Sequence, residues 1–219
     1  MTRSELLDEL SDRILKLDSP HPIRVAINGV DAAGKTTLAD ELVSPLEDRG
    51  AKVIRASVDS FLRPRECRYR RGRESPEGYY YDAFDYVGVK SYLLDPLGPE
   101  GDLNYRSEMF DGHNDKSINS QMKKADSDSV LLFDGVFLFR LELLNCWELR
   151  IFVDVDSSIS LERGIQRERD PSAARILYEH RYIPGQQIYL RECDPKKLAD
   201  VVVNNNDIMN PTITAVDHE

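Results

Sequence analysis

The stretch VAINGVDAAGKTTLADEL, residues 25–42, decides the fold. Within it Gly29 and Gly34, separated by four residues, are followed by Lys35 and Thr36, completing the pattern G-x-x-x-x-G-K-[ST]. The glycines permit a tight turn whose backbone N–H groups converge on phosphate oxygens, reinforced by the positive end of the following helix. Lys35 brings a point charge to terminal phosphates, and Thr36 a hydroxyl for a magnesium ion. The alternative is a chance match with no ligand. Against it, IRVAIN (23–28) reads as a buried strand just before the loop, and a helix is expected from about Lys35. Leu38, Leu42 and Leu46 repeat along that helix, and Pro45 should kink it or end it early. The candidate nucleotide contacts are Gly29, Val30, Asp31, Ala32, Ala33, Gly34, Lys35, Thr36 and Thr37.

Working outward, KVIRASVD (52–59), SVLLFDG (129–135), ELRIFVDVD (148–156) and ADVVVNN (199–205) read as four further strands. They are rich in Val and Ile, do not strictly alternate, and are separated by segments long enough for crossover helices, as buried parallel strands require. The expected fold is a three-layer α/β P-loop domain over residues 1–219, with a central, mostly parallel, five-stranded sheet. MTRSELLDELSDRILKL opens a helix within 1–20, with Leu6, Leu10, Ile14 and Leu17 on one face. Residues 60–128 are the least regular and are expected to form the acceptor site, because loops at the carboxyl ends of such strands build the binding crevice.

Composition narrows the partners. A formal charge of −10 disfavours general binding to nucleic acid. No apolar run approaches the ~18 residues of a membrane span, and the N-terminus lacks the apolar core of a signal peptide. Cys67, Cys146 and Cys193 are odd in number and far apart, which suits neither a disulfide framework nor a metal site and makes a reducing cytoplasm the simplest compartment.

Two acids end predicted strands, Asp59 in SVDSF and Asp134 in LLFDG. One could accept a hydroxyl proton while the other holds magnesium directly or through water; the plain alternative for each is a cap or turn residue. Arg163 and Arg167, four apart in LERGIQRERD, would share a helix face able to close over a transferring phosphoryl group. From spacing alone, a solvated surface paired with Glu162 and Glu168 fits them better. RPRECRYRRGRE gathers Arg63, Arg65, Arg68, Arg70, Arg71 and Arg73, which reads as a solvated loop or as a local site for an anionic acceptor or effector.

Taken in order, GVDAAGKTT, SVDSFLR, DAFDY, LLFDGVFLF, RIFVDVDSSISLERGIQRERD and ADVVVNN resemble the uridine kinase-like branch of P-loop kinases, which includes phosphoribulokinases and pantothenate kinases. The resemblance runs from about residue 23 to 206. It implies Asp59 as general base, a mobile helical lid within 157–185 carrying Arg163 and Arg167, ATP and Mg2+ as nucleotide and metal, and oligomers in related proteins. Uridine kinases typically carry Asp-His-Pro before DAFD, the acid gripping ribose hydroxyls; this chain has Tyr79 and Tyr80 there. Asp82 or Asp85 would then compensate, or the tyrosines would stack on a different acceptor. The family's glutamate after the third strand is Asp134 here, which suggests magnesium held through water. Related kinases place an aromatic and a histidine beside the base, which points to Tyr105 and His113. A family-like segment after the lid adds Arg175, Arg181 and Gln187.

The leading expectation is transfer of the γ-phosphoryl group of ATP to the 5′-hydroxyl of uridine or cytidine. A sugar, phosphosugar or pantothenate-like acceptor is the alternative. A nucleotide-dependent switch is a third reading, opposed by the lack of an Asn-Lys-x-Asp sequence.

Overall fold

A computed structural model describes residues 1–215; the last four residues of the expected 1–219 span lie outside the described residues. The central sheet has six strands: β1 (Ile23–Gly29), β2 (Lys52–Ser57), β3 (Ser129–Gly135), β4 (Leu149–Asp154), β5 (Val201–Asn204) and β6 (Thr212–Ala215). Their order is β6-β5-β4-β1-β3-β2. All neighbours are parallel except β6, which pairs antiparallel with β5 from Thr212 opposite Asn204 to Ala215 opposite Val201. The five-stranded expectation is corrected by this edge strand. Its four residues carry only the short β-branched run Thr212, Ile213 and Thr214, behind a polar stretch and Pro211.

Successive side chains of a strand point to opposite faces, and here both faces are covered. Val25, Ile27, Val130, Leu132, Ile151 and Val153 pack under helices α1 (Arg3–Leu15), α2 (Lys35–Glu41) and α3 (Val43–Glu47). Ala26, Leu131, Phe133 and Phe152 pack on the other side against segments drawn from 61–105 and against Tyr189. Three layers result. α1 presents Leu6, Leu10 and Ile14 to the core and starts at a capping box in which the Thr2 hydroxyl accepts from the Glu5 N–H. α2 and α3 are parts of one helical path interrupted at Leu42. The break follows Glu41, the residue whose carbonyl Pro45 cannot use and its ring would crowd.

Residues 60–128 hold short pieces rather than strands of the main sheet. They include the helical turn Arg65–Arg68, helix α4 (Pro76–Asp82), and two-residue ribbons pairing 104–105 with 123–124 and 110–111 with 116–117. After β4 come α5 (Ser157–Gln166) and α6 (Pro171–Leu177), then a wide turn, Tyr178–Tyr182, into α7 (Ile183–Cys193). Among the described residues no helix is long and apolar enough to cross a membrane.

Candidate active site

The loop between β1 and α2 is shaped by contacts that only glycine allows. A Cβ on Gly29 would stand 2.4 Å from the Val153 carbonyl oxygen on β4, and Gly34 opens α2 at φ 92°, in the left-handed region. The buried Lys35 Nζ donates to the Val30 carbonyl at 2.6 Å, so the ammonium lies across the loop. Burial pushes its pKa down, while Asp31, Asp59 and Asp134 act in the opposite direction. Asn205, buried at the end of β5, donates to the Ala33 carbonyl at 2.7 Å and buttresses the loop from behind.

Ser57 on β2 stands opposite Asp134 on β3. The Thr36 hydroxyl donates to Asp134 at 2.6 Å, bringing a hydroxyl and a carboxylate together as a magnesium site requires. Hard oxygens in this number suit Mg2+, which takes few protein ligands beside phosphates and water; among the described residues no group of three or more His, Cys, Asp or Glu could hold a metal by itself. Arg55, absent from the sequence-based set, donates to the other Asp134 oxygen at 3.0 Å and neutralises that buried acid. Its signal was an arginine set among Val53, Ile54 and Ala56.

β2 ends at Ser57, two residues earlier than expected, and Val58–Phe61 forms a 3-10 turn. This turn carries Asp59 off the sheet into a cleft of about 410 Å³. Among the described residues its carboxylate has no hydrogen-bond or ion-pair partner in the protein, and water reaches it. Crowding by the cleft walls pushes its pKa up against the pull of Lys35, and the acids Asp31 and Asp134 add to the rise. A carboxylate that is open, unpartnered and of raised pKa is chemically able to take a hydroxyl proton.

Asp31, Tyr79, His113 and Arg167 line the same cleft, as do Arg68, Tyr69, Glu168, Tyr178, Arg181 and Tyr182. The Tyr79 hydroxyl donates to both Asp31 carboxylate oxygens, at 2.8 and 3.0 Å, and Gln186 donates to Asp31 as well. Asp31 thus turns its carboxylate toward the cleft. Arg167 lies at the end of α5 and donates to the Tyr178 hydroxyl at 3.2 Å. Arg181 is buried, donates to the carbonyls of Arg73, Ser75 and Arg68, and lies over the rings of Tyr69 and Tyr79.

Arg163 of the expected lid and four expected acceptor residues, Tyr80, Asp82, Tyr105 and Gln187, do not line this cleft. Arg163 is spent on the backbone: it donates to the carbonyls of Asn205 and Asn206, fastening the base of α5 to the end of β5. Tyr80 packs edge-on against Phe137, with its hydroxyl against the Cys193 sulfur, because it falls on the core face of α4. Asp82 is buried in ion pairs with Arg70 and Arg71, which leaves it no free face for a ligand. Tyr105 is buried in the core through its two-residue ribbon. Gln187 borders a separate cavity with Asp154 and Lys196, whose wall Gln186 shares. Gln186 faces inward instead, sharing the buried face of Gly185 and Tyr189, a phase the neighbouring aromatics could have revealed. The arginine-rich stretch is likewise not a loose loop, since Arg65 and Arg68 bind Asp115. Of the second-tier arginines, Arg175 pairs on the surface with Glu179.

The phosphoribulokinase/uridine kinase family model matches residues 24–173. Uridine-cytidine kinase B of Dictyostelium discoideum is 32% identical over 194 residues, covering 84% of this chain and 75% of that protein. A uridine kinase of Leuconostoc citreum is 26% identical over 83% of this chain and 87% of its own length. Other relatives are longer: this chain spans 36% of uridine-cytidine kinase A of Dictyostelium discoideum, at 27% identity over 84% of this chain. The solved structure of a possible uridine kinase from Bacillus stearothermophilus superposes with a TM-score of 0.73 at 25% identity, covering 91% of this chain and 97% of that one. The chain belongs to the phosphoribulokinase/uridine kinase family and is a phosphotransferase acting on a hydroxyl group.

Proposed function

We propose that this enzyme transfers the γ-phosphoryl group of ATP to the 5′-hydroxyl of uridine or cytidine. The observation that carries the reading is Asp59, a carboxylate without a partner among the described residues, in a cleft that also holds Asp31 of the phosphate loop and Arg167 of the expected lid segment. Asp59 accepts the proton of the attacking hydroxyl. The loop N–H groups and Lys35 hold the nucleotide phosphates, and Arg167 faces the charge that spreads over the transferring group. Thr36 would hold Mg2+, with Asp134 ordering it directly or through water, and the metal would supply charge neutralisation at the phosphates. Positioning and charge neutralisation supply most of such a reaction, and the residues gathered here match that need.

A second reading keeps the kinase and changes the acceptor to a sugar, phosphosugar or pantothenate-like molecule. It is favoured by the buried Arg181, a cation in the cleft wall with no carboxylate partner among the described residues. Magnesium-dependent ADP release across nucleosides, pantothenate, and free and phosphorylated sugars, with products identified by mass, separates the two. Turnover of uridine or cytidine sustains the first reading, and turnover confined to other acceptors replaces it with the second.

A further inference from the structure

Asp31 is set in the phosphate loop by its position in the chain, yet its side chain belongs to another part of the site. Its carboxylate lines the cleft that contains Asp59. Two buried donors fix it there, the Tyr79 hydroxyl on both oxygens and the Gln186 amide on one. Burial, with Asp31 alongside, raises the Tyr79 pKa well above that of an ordinary phenol, so the hydroxyl remains a donor. Among the described residues no lysine, arginine or histidine forms an ion pair with Asp31. A carboxylate aimed at the bound phosphates would repel them. Turned aside and held, it keeps accepting capacity beyond the Tyr79 and Gln186 donors, since an ionised carboxylate offers about four acceptor sites. Hydroxyl groups suit it, and an anionic group at that place would be repelled.

We propose that Asp31 binds the acceptor rather than the nucleotide, taking hydroxyls other than the one phosphorylated, such as the vicinal diol of a ribose. The acceptor is accordingly a polyhydroxyl compound whose diol lies against Asp31 while its reacting hydroxyl faces Asp59. This inference rests on the kinase reading above.

The test compares uridine with 2′-deoxyuridine and 3′-deoxyuridine in the wild-type full chain and in Asp31→Asn, measuring kcat and KM for each nucleoside and for ATP. The wild type should prefer uridine over at least one deoxy analogue by roughly 10- to 100-fold in kcat/KM, the range for losing a hydrogen bond to a charged group. In Asp31→Asn that preference should collapse while KM for ATP holds. Should Asp31→Asn fail to fold, Tyr79→Phe frees one orienting donor and should narrow the preference in the same direction. A preference that survives Asp31→Asn, or a loss falling equally on ribo and deoxy substrates, overturns the proposal, as does a rise confined to the KM for ATP. If wild type phosphorylates another polyol instead of uridine, the comparison is repeated with that acceptor and its deoxy analogue. An enzyme that accepts only acceptors with a single hydroxyl refutes the proposal alone, whereas one that phosphorylates none of the panel refutes the kinase reading with it.

Discussion

The phosphate loop draws its candidate contacts from one run, residues 29–37, while the facing wall draws Asp59, Arg68, Tyr79, His113, Arg167 and Arg181 from separate segments. The first is held by backbone geometry and strand register, with Gly29 pressed against Val153 and Gly34 in the left-handed region. The second is held by side chains: Arg181 on three carbonyls, Arg68 on Asp115, and Asp82 clamped between Arg70 and Arg71. Local geometry makes one wall and long-range pairing the other. Substitutions should therefore separate chemistry from architecture differently on each side.

The largest effect is expected at Asp59. Asp59→Asn should lower kcat by about 10²- to 10⁴-fold, the usual contribution of a positioned base. In steady-state assays ATP binding should hold. Because the folded-state pKa of Asp59 is raised above its ordinary 3.8, the folded chain binds that proton more tightly than the unfolded chain does. Its ionisation therefore detracts from stability as pH rises through the folded value, and activity should rise across the same window. Asp59→Asn should melt higher than wild type at neutral pH, with the advantage vanishing below pH 3.8. A lower Tm for the variant at neutral pH would contradict the crowded-carboxylate picture.

Next comes Lys35→Met, with a loss in turnover on the order of 10²- to 10³-fold, comparable to removing a preorganised charge or donor from a transition state, and with the fold retained by circular dichroism. Full activity would remove the phosphate role. On the opposite wall Asp82→Asn should behave in the reverse way, destabilising the fold by about 1–3 kcal/mol through its two arginines while leaving KM for the acceptor unchanged. A raised acceptor KM with normal melting would return Asp82 to the binding site. The smallest effect is expected of Tyr80→Phe, which removes only the hydroxyl beside Cys193. Its stability change should be about 1 kcal/mol or less, with no kinetic change.

The same contrast explains what could be read before the structure. The strands through 23–28 and 129–135, the loop and the helix after it are written in local patterns, and their bounds match within a residue. Asp59 could be placed beside the loop because two parallel strands carry it and Asp134 to the same edge, although the 3-10 turn that lifts it into the cleft left no clear mark in the sequence. The acceptor wall was far less legible. Whether Tyr79 or Tyr80 faces the cleft, or Gln186 or Gln187 reaches Asp31, depends on the phase of a helix, and one residue of rotation exchanges such a position for a core or surface one. Asp82 looked available as a ligand until its partners, eleven and twelve residues away, were seen to occupy it. β6 was too short to stand out from the polar tail around it.

The grip of Arg163 on Asn205 and Asn206, together with the bond from the Ser160 hydroxyl to the Asp31 carbonyl, has a mechanical meaning for the segment above it. The first two turns of α5 are riveted to the phosphate loop and to the end of β5, so any bending of the segment is expected beyond them, where Arg167 and α6 stand. A short arm on an anchored root sweeps a small arc. Such an arm can cover the cleft without disturbing the loop that holds the phosphates, and amide exchange should be slow through residue 163 and faster across 167–177.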